Sequence, residues 1–133
     1  MNTTPAIALQ GRVERSLAEY VDVSTADDGS LSFNYAGALC SITVVHLADG
    51  LDVVSMTCVL VWDRPASTAL HKKVADRNAA VQFGSISAFG HGRLLDVVLR
   101  YAFPAAGLSD EALTTMLLLV LGGADTARTG LIP

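Results

Sequence analysis

The chain has 133 residues, of which 51% are hydrophobic and only 17% charged, and it carries a net charge of −4. Low hydrophobicity with high charge is the signature of disorder, so disorder is excluded. The two lysines are adjacent (Lys72, Lys73) and the arginines are scattered, so there is no basic face for nucleic acid. The length suits one domain over 1–133. No stretch reaches the ~18 to 20 apolar residues of a membrane-spanning helix, and MNTTPAIAL lacks the charged start and long apolar core of an export signal. A cytoplasmic protein with two free thiols, bound to no membrane, is expected.

Pro5 to about Tyr20 predicts a first helix: Pro5 suits the first turn, and Ile7, Val13, Leu17 and Tyr20 recur at near-helical spacing. Ser24 to Ser30, with Asp27-Asp28-Gly29, reads as a loop; Asp-Gly is a turn signal, and no further oxygen ligands follow at calcium-loop spacing. Leu31, Phe33 and Tyr35 alternate with Ser32 and Asn34, which predicts a half-buried strand. After the Ala36-Gly37 turn, Ala38 to Leu47 predicts a second strand, and Leu51 to Trp62 a third. On these two strands the apolar sets are Cys40, Ile42, Val44 and Val54, Met56, Cys58, Leu60, Trp62. Both sets want one face, and a three-residue loop at Ala48 to Gly50 satisfies them by placing Cys40 opposite Cys58.

Ser67 or Thr68 can cap a second helix running to about Val81, with Leu70 and Val74, joined by Ala75 and Val81, facing inward. Phe83 to Gly90 then reads as a strand, His91-Gly92 as a hairpin turn, and Arg93 to Phe103 as a long strand. Pro104 and Gly107 end that strand. Ser109 caps a last helix with Asp110 and Glu111 in its first turn, where the helix dipole favours negative charge, and Leu108 and Leu113 are placed to form a hydrophobic staple. Gly122-Gly123 is the expected end, with Ala124 to Arg128 able to add a turn. Met116 to Leu121 is apolar without a break, and a helix apolar all round must be covered on every side. A second copy of the chain is the simplest cover. The order is α-β-β-β-α-β-β-α, an α+β fold with helices packed on an antiparallel sheet.

The DGSLSFNYAG hairpin, the VADRNAAVQFGSISAF passage, the GHGRLLDVVLRYAFPAAGLSDEAL passage and the eight-element order together resemble the YbjN family of small bacterial proteins. That family shares the fold of class I type III secretion chaperones, and the resemblance spans about Leu9 to Arg128. It implies a homodimeric α+β domain that self-associates through the second helix and neighbouring strands. The chaperones hold unfolded segments of other proteins on exposed sheet and helix surfaces, and YbjN-like proteins are described as proposed sensory transduction regulators. The family has no agreed catalytic residues, so the resemblance implies none here.

The remaining motifs point away from an enzyme. His46, His71 and His91 show no metal-site spacing, and Cys40 and Cys58 lie eighteen residues apart on separate strands. As a cross-strand pair the cysteines would be either core residues or a redox pair, and core packing is the ordinary outcome for buried thiols. Gly90-His91-Gly92 lacks the third glycine and the following helix of a nucleotide loop, and GxxxxGK[ST] and GxSxG do not occur. No cofactor, metal ligand set or catalytic group is expected. The expected function is a non-enzymatic homodimer that binds another protein or peptide segment, with Leu70, Val74, Arg77, Asn78 and Val81 as the dimer or partner surface; Asn78 also suits a hydrogen bond to backbone at the helix end. Two alternatives remain. One is a small-molecule sensor or interfacial enzyme lined by residues such as Trp62, Arg100 and Tyr101. The other is a roadblock or longin-type scaffold, which would show two rather than three strands before the second helix.

Overall fold

A computed structural model describes residues 4–132. The elements are α1 (Thr4–Ala18), β1 (Ser24–Thr25), β2 (Leu31–Tyr35), β3 (Ala38–Ala48), β4 (Leu51–Pro65), α2 (Thr68–Ala80), β5 (Ser85–His91), β6 (Leu94–Pro104) and α3 (Asp110–Leu131). The strands form one sheet in the order β1-β2-β3-β4-β6-β5, with every neighbouring pair antiparallel. β4 and β5 therefore run parallel on either side of β6, and α2 carries the chain across. The α+β architecture read from the sequence holds. One element was missed: β1, two residues pairing Ser24 with Ser32, inside the segment read as a loop. Four strands precede α2, the three expected and the two-residue β1, which departs from the two-strand roadblock order.

All three helices cover one face of the sheet. The covered face of β3 and β4 carries Cys40, Ile42, Val44, Val54, Met56, Cys58 and Leu60, all buried. The register agrees with the alternation: Cys40 pairs with Cys58 and Ile42 with Met56. The loop is built differently from the three residues expected. Ala48 pairs with Leu51 around a two-residue turn, and an irregularity between His46 and Ala48 supplies the third unpaired residue. The offset is the same either way.

Trp62 departs from the expected inward set. β4 is irregular twice, between Val59 and Val61 and between Val61 and Arg64. A bulge adds one residue and breaks the period of two. Leu60 and Val61 are consequently both buried, while Trp62 is 42% exposed. Each irregularity leaves backbone groups outside the ladder, and buried backbone polar groups need partners. Arg128 of α3 donates from Nε to the Leu60 carbonyl at 3.0 Å, and Asp63 N–H donates to the Asp96 carboxylate at 2.9 Å.

On α1 the inward stripe is Ala6, Leu9, Val13 and Leu17, spaced 3, 4 and 4, and all four are buried. Ile7 and Tyr20, expected inward, are exposed at 61% and 52%. A stripe through Val13 and Leu17 takes in Leu9 rather than Ile7, and Tyr20 falls past the end of α1 at Ala18. Arg12 ties α1 to the start of α3 through Asp110 at 2.7 Å and the Leu108 carbonyl.

α3 begins as expected, with Ser109 Oγ accepting from Ala112 N at 3.1 Å. It does not stop at Gly122-Gly123 but runs on to Leu131. Two helical glycines cost about 1 kcal/mol each. Burial of Ala124, Ala127 and Leu131 beyond them offsets this. The missing side chain of Gly130 also makes room for Arg77 of α2, since a Cβ there would lie 2.8 Å from Arg77 Cδ, whereas one on Gly123 would make an ordinary contact with Val81 at 3.6 Å. The expectation that the apolar run needs a second chain to complete its cover is corrected. Leu117, Val120 and Leu121 are buried within the subunit, Met116 and Leu118 are half-buried, and only Leu119 stands open at 46%.

Candidate functional site

The five residues predicted as a dimer or partner surface divide by role. Ser67 Oγ accepts from Leu70 N at 3.0 Å and starts α2. Val74 is the buried residue of the helix, and Leu70 and Val81 pack partly against the core. Ala75, expected inward, is exposed. Asn78 has the backbone role expected of it: its Oδ1 accepts from Ile86 N at 2.8 Å, fastening α2 to β5. Asp76 meets Lys72 at 3.1 Å in an exposed i, i+4 pair, an interaction worth about 0.3–0.5 kcal/mol.

Arg77 and Val81 help to line a groove of about 370 Å³ between the end of α2, the approach to β5 and the middle of α3, together with Phe83, Leu118, Leu119 and Gly122. Both helices proposed for self-association therefore meet at one place. Sequence periodicity hid it, because Phe83 lies outside both helices and reaches the groove only after the chain turns. Phe83 is held by Tyr101 (centroids 6.1 Å apart), and Tyr101 in turn stacks on Phe103 at 5.7 Å.

Among the described residues, no helix lies on the opposite face of the sheet. Leu39, Val45 and Phe89 lie there at 45%, 39% and 43% exposure, interleaved with Ser41, Thr43, Ser55 and Thr57. Arg100 sits over the Phe89 ring at 5.3 Å. Trp62, Arg100 and Tyr101 do not converge as a ligand pocket would require. Tyr101 is on the helix side among aromatics, Arg100 is on the open side, and Trp62 sits at the bulge.

Two histidine clusters were not legible. At one end of the sheet His46 Nδ1 meets Asp52 Oδ1 at 2.8 Å, a cross-strand pair in which Asp52 is buried. At the other end His91 Nε2 lies 2.9 Å from Asp96 Oδ1 and 3.3 Å from Asp63 Oδ1. The second group depends on the β4 bulge, which carries Asp63 with a left-handed φ of +54°. A regular strand pattern cannot foresee it. The hydrogen bond to Asp96, reinforced by the charges of Asp96 and Asp63, holds the His91 imidazole above its usual pKa. Asp96 is held below the usual carboxylate range, first by the Asp63 N–H and then by His91. Protonated His91 is therefore favoured by the fold, and that contribution fades as pH rises through its elevated pKa. In an NMR titration of metal-free protein, His91 is expected to titrate above the ordinary imidazole value, and Asp96→Asn to bring it back towards that value. Titration of His91 unchanged by Asp96→Asn would contradict the geometry.

The cysteines are free and buried. Interaction with Cys58, together with burial, pushes the Cys40 thiol up, and its Sγ donates weakly to the Ala38 carbonyl at 3.9 Å. This is the behaviour of core thiols.

Three helices on one side of a six-stranded antiparallel sheet, with the other side bare, define a one-sided α+β domain. No family model matches the chain, and no curated protein matches it. Among solved structures it is similar to YbjN, a proposed transcription regulator from E. coli, with a TM-score of 0.65 at 12% identity, covering 96% of this chain and 92% of that one. The YbjN-like fold expected from the sequence is thus the fold observed. No helix among the described residues is long and apolar enough to cross a membrane.

Proposed function

We propose that the chain is a non-enzymatic, cytoplasmic, homodimeric regulatory or chaperone-like protein that binds another polypeptide. The observation that carries this is where apolar surface remains open. With every helix on one face, the other face offers Leu39, Val45 and Phe89 to solvent, and the helix side keeps the groove around Val81, Phe83, Leu118 and Leu119. Exposed patches of this kind mark interaction sites. The groove supports self-association, since Leu119 stands 46% exposed beside the partly buried Val81 and Phe83. The bare sheet supports capture of an extended or amphipathic segment.

Light scattering after size exclusion tests the first part. The chain is expected to run as a dimer at micromolar concentration, and Leu119→Glu or Val81→Glu to give a folded monomer. A wild-type monomer at that concentration would refute self-association. A photo-crosslinker at position 39 or 89 tests the second part: crosslinks to one recurrent protein, absent when the label is at exposed position 7, support it. Equal labelling at all three positions refutes it.

The groove's volume also lies within the range of small-ligand sites, about 300–1,000 Å³, which supports a sensor as the second reading. A small molecule retained through purification and lost in Phe83→Ala would favour the sensor.

A further inference from the structure

We propose that Asp63, His91 and Asp96 form a binding site for one divalent first-row transition ion of the Zn2+ class. The ligand atoms are His91 Nε2 and one carboxylate oxygen from each aspartate, and all lie within 4.8 Å of one another. Four ligands at about 2.1 Å around a tetrahedral ion stand about 3.4 Å apart. The observed Nε2 to Oδ1 separations are 2.9 and 3.3 Å. Both separations from the imidazole are thus within about half an ångström of that spacing, and the two carboxylate oxygens lie within 4.8 Å of each other.

Three separate strands supply the ligands: β4 gives Asp63, β5 His91 and β6 Asp96. The backbone already holds two of them, because Asp63 N–H donates to Asp96. Imidazole with two carboxylates suits Zn2+ and its neighbours, whereas Mg2+ and Ca2+ prefer all-oxygen sites. Charge points the same way. Among the described residues neither aspartate pairs with an arginine or lysine, and their one basic partner is His91. With a neutral imidazole the pocket holds two negative charges and no cation. On binding, the ion takes the place of the Nε2 proton, which leaves to solvent, and Nδ1 keeps the ring hydrogen. The side chains of Asp63, His91 and Asp96 are 64%, 47% and 34% exposed, so the ion has a path in and room for water as the fourth ligand. The assignment rests on neither self-association nor polypeptide binding.

Calorimetric titration of ZnCl2 into metal-stripped full-length protein tests it. One saturable site per chain is expected, weakened by about tenfold or more in His91→Ala. Asp63→Asn, which keeps the backbone donor, is expected to weaken it similarly, while His46→Ala and His71→Ala leave it unchanged. Amide shifts on adding Zn2+ should centre on residues 63, 91 and 96. Loaded with Co2+, the protein should show weak d–d bands without thiolate charge transfer. The assignment is overturned by the absence of saturable binding, by unchanged affinity in folded His91→Ala and Asp63→Asn, or by a thiolate band placing the ion at the cysteines.

Discussion

Leu117→Ala is expected to lower the unfolding free energy by about 2–5 kcal/mol, the cost of emptying a well-packed leucine site, while Leu119→Ala two positions on costs under about 0.5 kcal/mol. The two leucines share one helix and one chemistry, so helix propensity cancels between them. What differs is cover: Leu117 is 1% exposed within the subunit and Leu119 is 46% exposed. Urea denaturation with a shared slope would give both values. The comparison also separates fold from assembly. A cost for Leu119→Ala that grows with protein concentration places that leucine in the dimer interface, because a partner that binds only the folded chain stabilises it by mass action. Equal costs at low concentration would mean that α3 is not docked on its own sheet as described.

That contrast shows what the amino-acid pattern could and could not convey. Alternation on β3 and β4 together with the short turn at Ala48 to Gly50 was enough to pair Cys40 with Cys58, because a one-residue slip turns one apolar set outward and the turn length chooses among the rest. The Ser67 and Ser109 caps were equally readable, since an N-cap is a local chemical event. Trp62 and the far half of α3 were misread for a common reason: tertiary packing overrode a local rule. A bulge changed the strand's phase after Leu60, and α2 settled against Gly123 and Gly130 where glycine should have ended a helix. On α1 the choice between Ile7 and Leu9 needed the phase of the whole stripe. Of the predicted surface, Arg77 and Val81 reached a groove and Asn78 became a structural fastener. The Asp63–His91–Asp96 group was invisible because its members come from three strands and meet only through the bulge.

Gly84→Ala is expected to be the most damaging single-methyl change in the chain, and it acts on the groove as well as on stability. Gly84 has φ of +110°, and an added Cβ would stand 2.9 Å from the Arg100 carbonyl oxygen, a backbone atom that cannot swing aside. Gly92, in the β5–β6 turn, has φ of +63° with nothing within 4 Å of its Cβ position. Both alanine variants incur the left-handed backbone cost of about 1–2 kcal/mol. Only Gly84→Ala adds the overpacking cost of about 1–3 kcal/mol. The difference between the two melting free energies therefore isolates the clash from the conformational strain. Because Gly84 follows Phe83 directly, relief of the clash must lift the start of β5 from β6 and carry Phe83 away from Tyr101. Gly84→Ala is accordingly expected to weaken self-association through the groove in protein that remains folded, with Gly92→Ala dimerising normally. Equal effects of the two substitutions on stability would mean that β5 does not approach β6 as closely as the Gly84–Arg100 contact requires.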